Sequence, residues 1–242
     1  MFEYIASSVK GSERTKNEDR VMVNNTVVSD GSISGVKENG FIAVVCDGVG
    51  GMGGGEIAAE MVASGFVGYD VEKASAYSLN HHLQKLNASV MDAQKHFPGY
   101  NSMASTAAGI MFWENRFLLF NLGDTRIYEA KDESIMLKTK DHTMGEADME
   151  KSLGVRRDAL TRYIGGFGHA CKPSIIRGCI SGDESCFLVC SDGIHKKIPE
   201  DVLRDVLSDG SALEDKKRAI MSLSTQNGST DDKSLVLVRY AA

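Results

Sequence analysis

The sequence has few of the features that mark secreted, membrane or nucleic-acid-binding proteins. Its five cysteines are an odd number without regular spacing, which favours reduced thiols over a disulfide framework and indicates a cytoplasmic protein. No apolar run approaches the ~20 residues that a membrane helix needs, and the first four residues lack the basic and apolar parts of a signal peptide. The net charge of -6 gives no electrostatic basis for binding nucleic acid. We therefore expect neither a membrane nor a nucleic acid as partner.

The length and composition predict one globular domain over residues 1–242, with 42% hydrophobic and 25% charged residues. Predicted strands occur in groups with paired helices between them, which favours layered α+β architecture over regular βαβ alternation. The strands are predicted at Phe2–Ser8, Arg20–Val28, Phe41–Cys46, Ala107–Trp113, Arg116–Leu122, Ile175–Ile180, Cys186–Cys190 and Ser234–Tyr240. The helices are predicted from Glu56, at Ser78–His96, Glu200–Leu207 and Ala212–Ser224.

Some shorter segments carry predictions of their own. Ser29 to Asn39 is rich in Gly and polar residues and is expected to be a loop, and Asn115 is expected to allow positive φ in a tight hairpin. Met144 to Asp158 is charged and weakly amphipathic, which indicates a mobile surface element. Lys216-Lys217-Arg218 is interpreted as an exposed basic helix face.

Acidic residues stand where apolar segments begin or end. Asp47 and Asp192 follow β-branched apolar runs, and Asp231 precedes one. A carboxylate at a strand end is held by the sheet but points outward, and several such acids together are tolerable only with cations between them. Oxygen ligands select hard ions, so the pattern predicts Mg²⁺ or Mn²⁺.

The glycine cluster that begins at Gly48 allows more than one interpretation. Glycine-rich turns after strands cradle phosphates, but no Gly-Lys-Ser/Thr follows and the spacing differs from a dinucleotide fingerprint. A turn that needs positive φ is the simpler reading for glycines alone. The preceding Asp47, and a second Asp-Gly pair at Asp192-Gly193, favour a metal-linked role.

Arg14 lies five residues before Asp19 in a polar segment. Such a segment is usually a solvated turn. A guanidinium, however, presents a planar fork of donors that matches phosphate bidentately. Beside a metal-binding acid, Arg14 could hold a phosphoryl group.

The order of these motifs resembles the protein phosphatase 2C family of metal-dependent Ser/Thr phosphatases, above all its compact bacterial branch. The resemblance runs from Gly11 to Val238. The matching segments are Arg14-x-x-Asn17-x-Asp19, Asp47-Gly48-Val49-Gly50-Gly51, Ser105-Thr106-Ala107, Gly123-Asp124-Thr125-Arg126, Leu160-Thr161-Arg162, Ser191-Asp192-Gly193 and Asp231-Asp232-Lys233-Ser234. The resemblance implies a four-layer α/β/β/α sandwich with two central antiparallel sheets.

The resemblance also implies roles for individual residues. Asp47 would bridge two metal ions, and the carbonyl of Gly48 would help to bind the second. Asp192 and Asp231 would complete the ligands of the first ion. Asp19 would lie beside the two ions and order a bound water, and Arg14 would bind the substrate phosphate. Asp124 would hold a weaker third metal together with Asp192.

The sequence departs from the family pattern in several places. Met52 and Val49 stand where relatives carry a histidine, so neither position offers an imidazole as general acid. Lys196 stands where the third metal often has an oxygen ligand, so we expect a weak or empty third site and an ion pair between Lys196 and Asp124 or Asp192. The last motif has Asp232 in place of the usual Asn. The flap segment between His142 and Leu160 is short.

The function implied is hydrolysis of phosphoserine and phosphothreonine by a water held between two metals, without a covalent intermediate. The expected partners are phosphorylated proteins, in particular the substrates of a Ser/Thr kinase, and the enzyme is expected to be a monomer. Two alternatives remain at this point. One is a non-catalytic regulatory module, and the other is a phosphatase of a small phosphorylated metabolite.

Overall fold

Two six-stranded antiparallel sheets form the centre of the molecule. The computed structural model describes residues 1–49, 53–96, 99, 102–144, 159–166, 171–180 and 184–241. Sheet I contains, from one edge to the other, β10 (Ser134–Leu137), β9 (Arg126–Lys131), β13 (Glu184–Cys190), β14 (Lys233–Ala241), β1 (Phe2–Val9) and β4 (Gly31–Lys37). Sheet II contains β12 (Ser174–Cys179), β8 (Arg116–Leu122), β7 (Ala107–Trp113), β5 (Phe41–Cys46), β2 (Arg20–Val23) and β3 (Thr26–Val28).

The two sheets pack face to face through an aromatic and β-branched core. The ring of Phe112 stacks on Phe2 at 5.0 Å between centroids and meets Phe187 edge-on at 5.1 Å. Every residue of β5 is buried, because one face of this strand meets sheet I and the other meets helices. Burial on both faces explains its uninterrupted apolar sequence.

Helices cover the outer face of each sheet. On sheet II lie α1 (Gly55–Gly65) and α2 (Ala76–Gln94), joined through a 3-10 turn at Val71–Lys73. On sheet I lie α3 (Asp192–His195), α4 (Glu200–Ser208) and α5 (Leu213–Gln226). A short ladder of β6 (Ala104–Ser105) and β11 (Ile164–Gly165) lies outside the two sheets. The predicted four-layer α/β/β/α sandwich is thereby confirmed.

None of the helices formed by the described residues is long and apolar enough to cross a membrane.

Three local predictions were wrong, and a fourth falls almost wholly outside the described residues. The segment predicted as one strand at Arg20–Val28 is a hairpin of β2 and β3, with Asn24 at a φ of 53° in its turn. The loop predicted at Ser29–Asn39 contains β4, which pairs with β1 along its whole length. Positive φ in the β7–β8 hairpin falls on Glu114, at 53°, instead of Asn115. The mobile element predicted at Met144–Asp158 lies almost wholly outside the described residues, which end at Met144 before this gap.

Candidate active site

The acidic motifs meet at one end of the sandwich because of the strand directions. Asp47 follows the last residue of β5, and Asp19 precedes the first residue of β2, its antiparallel neighbour. Asp192 likewise follows β13, while Asp231 precedes β14, the strand paired with β13. Antiparallel neighbours place the end of one strand beside the start of the next. The topology therefore gathers each pair of acids at one end of its own sheet, and the effect of the Asp192 and Asp231 charges on the pKa of Asp47 places the two pairs near each other.

Asp47 is held by its backbone and faces other acids with its side chain. Its N–H donates to Thr106 Oγ1 at 3.0 Å, and its carbonyl accepts from Thr106 N at 2.8 Å. Burial, followed by the charges of Asp19, Asp192, Asp124 and Asp231, raises the pKa of Asp47 well above its ordinary value. Acids that raise the pKa of one another need a cation between them to remain ionised.

Gly48 lies where there is no room for a side chain. Its N–H donates to the carbonyl of Glu18 at 3.2 Å. A Cβ at this position would lie 2.4 Å from the carbonyl carbon of Gly55 and 2.6 Å from the Glu18 oxygen. The glycine is thus required by close backbone packing, and its φ is not in the left-handed region.

Asp19 is buried, with 1% of its surface exposed. Its Oδ2 has no hydrogen-bond partner within the described residues. Burial raises its pKa, as do the charges of Asp232 and Asp192, although the hydroxyls of Ser191 and Ser234 oppose this shift. A buried carboxylate oxygen without a donor is a position where a cation or an ordered water would be favoured.

Asp192 and Asp124 share one cationic partner. The ammonium of Lys196 lies 2.7 Å from Asp192 Oδ2 and 3.1 Å from Asp124 Oδ2. Burial alone would raise the pKa of Asp192, but the charge and hydrogen bond of Lys196 outweigh it and lower the pKa. Asp124 keeps a raised pKa because of burial and the nearby charge of Asp192. The ion pair expected for Lys196 is confirmed with both acids.

Arg14 reaches across the site to the last acidic motif. Its Nε donates to Asp231 Oδ1 at 2.8 Å, a second guanidinium nitrogen lies 2.6 Å from the same oxygen, and Glu18 lies 3.5 Å away. Burial lowers the pKa of Arg14, but the hydrogen bond and the charge of Asp231 outweigh burial, and the pKa is raised. The Arg14 side chain is 40% exposed, so a ligand can approach it from solvent.

Asp232 joins the two segments that carry Arg14 and Asp231. Its Oδ1 accepts from the N–H of Gly11, and its Oδ2 accepts from the N–H of Glu18, both at 2.7 Å. With 3% of its surface exposed, the carboxylate acts as a buried clamp on the loop between β1 and β2. The sequence identified Asp232 only as a departure from Asn, because nothing local shows that its partners lie more than 200 residues away.

Buried Ser and Thr hydroxyls form hydrogen bonds next to the acids, and the sequence motifs assigned them no role. Ser234 Oγ donates to Ser8 Oγ at 2.9 Å, and its N–H donates to Ser191 Oγ at 3.0 Å. Thr106 Oγ1 lies 2.7 Å from Thr125 Oγ1. Apart from Ser8, each of these residues stands next to a predicted acid or in a family motif, which was the only sequence signal for them.

The donor chemistry of the site fits hard divalent cations. It offers carboxylate oxygens whose mutual repulsion needs compensation, including the unpartnered oxygen of Asp19. Among the described residues, no three His, Cys, Asp or Glu side chains are already arranged as ligands of one ion. Arg14 holds Asp231 and Lys196 holds Asp192 in this conformation. Ion binding would therefore require at least some of these side chains to turn.

Two of the predicted features lie outside the described residues. Met52 falls in the gap at 50–52. Only the ends of the flap segment are described, and they pair with each other, since Thr143 bridges Leu160 and Thr161 N donates to the His142 carbonyl at 2.8 Å.

A sandwich of two antiparallel sheets between helices, with acids gathered at one end, is the architecture expected of metal-dependent phosphatases. The chain belongs to the protein phosphatase 2C family, whose model matches residues 20–232. Similar proteins include the serine/threonine phosphatase stp of Listeria monocytogenes serovar 1/2a, which is 23% identical over 235 residues, covering 91% of this chain and 92% of the relative. The serine/threonine protein phosphatase PstP of Mycobacterium tuberculosis H37Rv is 23% identical over 249 residues, covering 98% of this chain and 45% of the relative.

Solved structures show the same fold. The serine/threonine phosphatase Stp1 from Staphylococcus aureus superposes with a TM-score of 0.82 at 21% identity, covering 100% of this chain and 96% of the other. The catalytic domain of PstP in complex with two manganese ions gives a TM-score of 0.78 at 21% identity, covering 98% of both chains.

Proposed function

We propose that this protein is a metal-dependent phosphoprotein phosphatase that hydrolyses phosphoserine and phosphothreonine. Its membership of the protein phosphatase 2C family supports the reaction class. The relatives named above are serine/threonine phosphatases by name, which supports the substrate class. The observation that carries the proposal is the convergence of Asp19, Asp47, Asp192 and Asp231 on one edge beside an accessible guanidinium.

The acids would hold two divalent ions, either Mn²⁺ or Mg²⁺. We assign Asp47 to both ions, as the family resemblance implies; burial and the charges of Asp19, Asp192, Asp124 and Asp231 raise its pKa, which supports a position among these acids. Asp192, Asp231 and the Gly48 carbonyl complete the proposed ligands. A solved relative with two manganese ions supports this number. When bound, the ions would supply a water of lowered pKa and positive charge opposite the phosphoryl oxygens.

The remaining residues of the site would bind the substrate phosphate, orient the attacking water and hold Asp47 in place. The guanidinium of Arg14 offers a planar set of donors that fits two phosphoryl oxygens, in place of its present contact with Asp231. The Oδ2 of Asp19, which has no hydrogen-bond partner among the described residues, would accept a hydrogen bond from the attacking water and so orient it. The hydroxyl of Thr106 accepts from the backbone N–H of Asp47 and so limits the movement of this acid.

The proposed partners are phosphorylated proteins, and in the cell we propose the substrates of a Ser/Thr kinase. We further propose that the enzyme acts as a cytoplasmic monomer of one catalytic domain. The five cysteines are free thiols without a disulfide framework, which supports the cytoplasmic assignment.

The test is phosphate release from phosphoserine and phosphothreonine peptides with Mn²⁺, Mg²⁺ or EDTA. We expect turnover only with a divalent ion, and we expect Asp47→Ala to lose at least ~100-fold in kcat because both ions lose a shared ligand. Calorimetric titration with Mn²⁺ should show weakened binding in the same variant.

Asp30→Ala is a matched control, since Asp30 belongs to an Asp-Gly pair in the sequence but lies between β3 and β4 in the fold. Its turnover should equal that of the unmodified protein. Full turnover by Asp47→Ala would refute the two-ion site. Turnover on small phosphate esters but on none of a broad phosphopeptide panel would refute the protein substrate class.

A further inference from the structure

The ammonium of Lys196 lies between the buried Asp124 and the half-buried Asp192 at the rim of the proposed two-ion site. Its Nζ is 2.7 Å from Asp192 Oδ2 and 3.1 Å from Asp124 Oδ2. The Asp124 side chain is 7% exposed and the Lys196 side chain 40%, so the cation closes the outer side of the acid pair. One positive charge thus serves two carboxylates.

The backbone fixes both sides of this arrangement. Lys196 follows α3 directly, and its N–H donates to the carbonyl of Asp192 at 3.1 Å, which places residues 192 and 196 on one face of the turn. The carbonyl of Asp124 accepts from His195 Nε2 at 3.0 Å. The same short helix therefore carries one acid and the ammonium, and binds the backbone of the other acid.

The position leaves no room for a metal ion. A Mg²⁺ ion bound to both Oδ2 atoms would lie about 2.0–2.1 Å from each. This is the region that the ammonium occupies, and a divalent ion there would meet both steric overlap and repulsion from a like charge. The third ion implied by the family resemblance does not fit the residues of this chain.

We infer that Lys196 is a built-in substitute for a third metal ion, so that this centre binds two ions and not three. The inference rests on the proposed function for its two-ion site. Lys196 is a positioning residue in this account. It engages Oδ2 of Asp192 and leaves the other oxygen of that carboxylate for an ion. It also neutralises part of the charge of Asp124 without depending on the metal concentration.

The test is the number of Mn²⁺ ions bound per chain, measured by equilibrium dialysis with Mn²⁺ detected by electron paramagnetic resonance at millimolar concentration. The unmodified protein is expected to bind two ions. Lys196→Asp replaces the cation with a ligand and should bind three. Lys196→Met removes the charge without adding a ligand and should also take up a third ion, roughly tenfold more weakly than Lys196→Asp, because two acids then lack a cation.

Lys197→Asp is the matched control. It makes the same charge change one residue further along, at an exposed side chain, and should still bind two ions. Thermal melting in EDTA shows whether each variant is folded. If Lys196→Asp is unfolded, Lys196→Met still tests the inference.

The outcomes separate the inference from the proposed function. Three ions in the unmodified protein would overturn the inference, and so would a folded Lys196→Met that binds only two. Three ions in Lys197→Asp would overturn it as well, because the effect would then be one of net charge. Absence of Mn²⁺ binding in every variant would instead refute the proposed function.

Discussion

Arg14 and Asp231 show how one residue can serve two partners in turn. The contact of the guanidinium with Asp231 uses the same nitrogens that would hold a phosphate. Glu18, at 3.5 Å, keeps the side chain near this position. A phosphoryl group must therefore displace an intramolecular carboxylate, and a metal ion on Asp231 would weaken that competitor.

Replacing Arg14 should mainly affect substrate binding. We expect Arg14→Ala to raise KM for a phosphopeptide roughly 10- to 100-fold, since a charged hydrogen bond contributes about 1.5–3 kcal/mol. Arg14→Lys should restore only part of the loss because a point charge lacks the bidentate fork. Steady-state kinetics at saturating Mn²⁺ measure both effects.

Arg116→Ala is the control for this change. Arg116 is 60% exposed at the start of β8, whose opposite end leads to Asp124. An unchanged KM in Arg14→Ala, or an equal rise in Arg116→Ala, would remove the phosphate-binding role from Arg14.

For individual residues, the sequence predicted which acids belong to the site better than it predicted their contacts. Motif order was enough to nominate Asp19, Asp47, Asp192 and Asp231, because each is tied to a strand end that the apolar pattern reveals. The partners of these acids were harder to find. Arg14 and Asp231 are 217 residues apart in sequence, and no local pattern encodes such a contact. The pairing of Lys196 could be predicted because Asp192 is only one helical turn away.

At the scale of elements, Lys216 joins α4 to α5. The basic triad Lys216-Lys217-Arg218 was predicted to be exposed, and this was wrong for Lys216, whose side chain is 1% exposed, and for Lys217, whose side chain is 15% exposed. Its ammonium donates to the carbonyls of Val206, Leu207 and Asp209 and to the Asp209 carboxylate. A lysine of one helix thus caps the last carbonyls of the preceding helix.

Removing this cap should destabilise the helix pair. Lys216→Met keeps most of the apolar stem but leaves the carbonyls without a donor, so we expect a loss of about 2–4 kcal/mol in the free energy of unfolding. For a chain of this size, the melting temperature should fall by roughly 4–16 °C. Differential scanning calorimetry measures the change.

Arg218→Met is the comparison, because Arg218 belongs to the same triad but is 70% exposed and, among the described residues, pairs only with Glu214 and Asp215 on its own helix. Its melting temperature should change little. Equal changes in the two variants would show that Lys216 is not a cap.

The elements that the sequence missed are those whose stability comes from pairing. The strand β4 reads Gly-Ser-Ile-Ser-Gly-Val-Lys and lacks a continuous apolar face, yet it completes the edge of sheet I by hydrogen bonding to β1. Its composition resembles a loop, and polar residues are common on edge strands. The central strands β5, β7 and β8 were predicted with correct bounds because burial on both faces imposes long apolar runs.

At the scale of the whole molecule, the acids at the site couple stability to pH in the absence of metal. Burial and neighbouring charges raise the pKa of Asp19 from 3.8 to about 8, and they also raise that of Asp47. Between pH 3.8 and about pH 8, Asp19 is protonated in the folded protein but ionised in the unfolded chain, so the folded protein binds more protons. Stability is therefore present at low pH and is lost as pH rises towards 8.

We expect the melting temperature in EDTA to decrease from pH 5 to pH 8, by several degrees. Saturating Mn²⁺ should raise it and reverse the trend, because ions bind the deprotonated acids of the folded state only. Thermal melting across this range, with and without Mn²⁺, measures both. Asn is neutral at every pH, so Asp19→Asn should flatten the dependence in EDTA, and a slope unchanged from that of the unmodified protein would contradict this account.

The place of β14 in the middle of sheet I has a consequence for synthesis on the ribosome. The residues Arg14, Asp19 and Asp47 emerge early, but the strand that follows Asp231 must insert between β1 and β13 before the site is complete. Asp232, whose carboxylate accepts from the N–H groups of Gly11 and Glu18, is translated at the same time. On the proposed function, a nascent chain would be unable to dephosphorylate other proteins until β14 has been translated and has paired with β1 and β13. A premature stop codon before residue 231 would therefore yield a polypeptide that lacks Asp231, Asp232 and β14, and we expect it to be inactive.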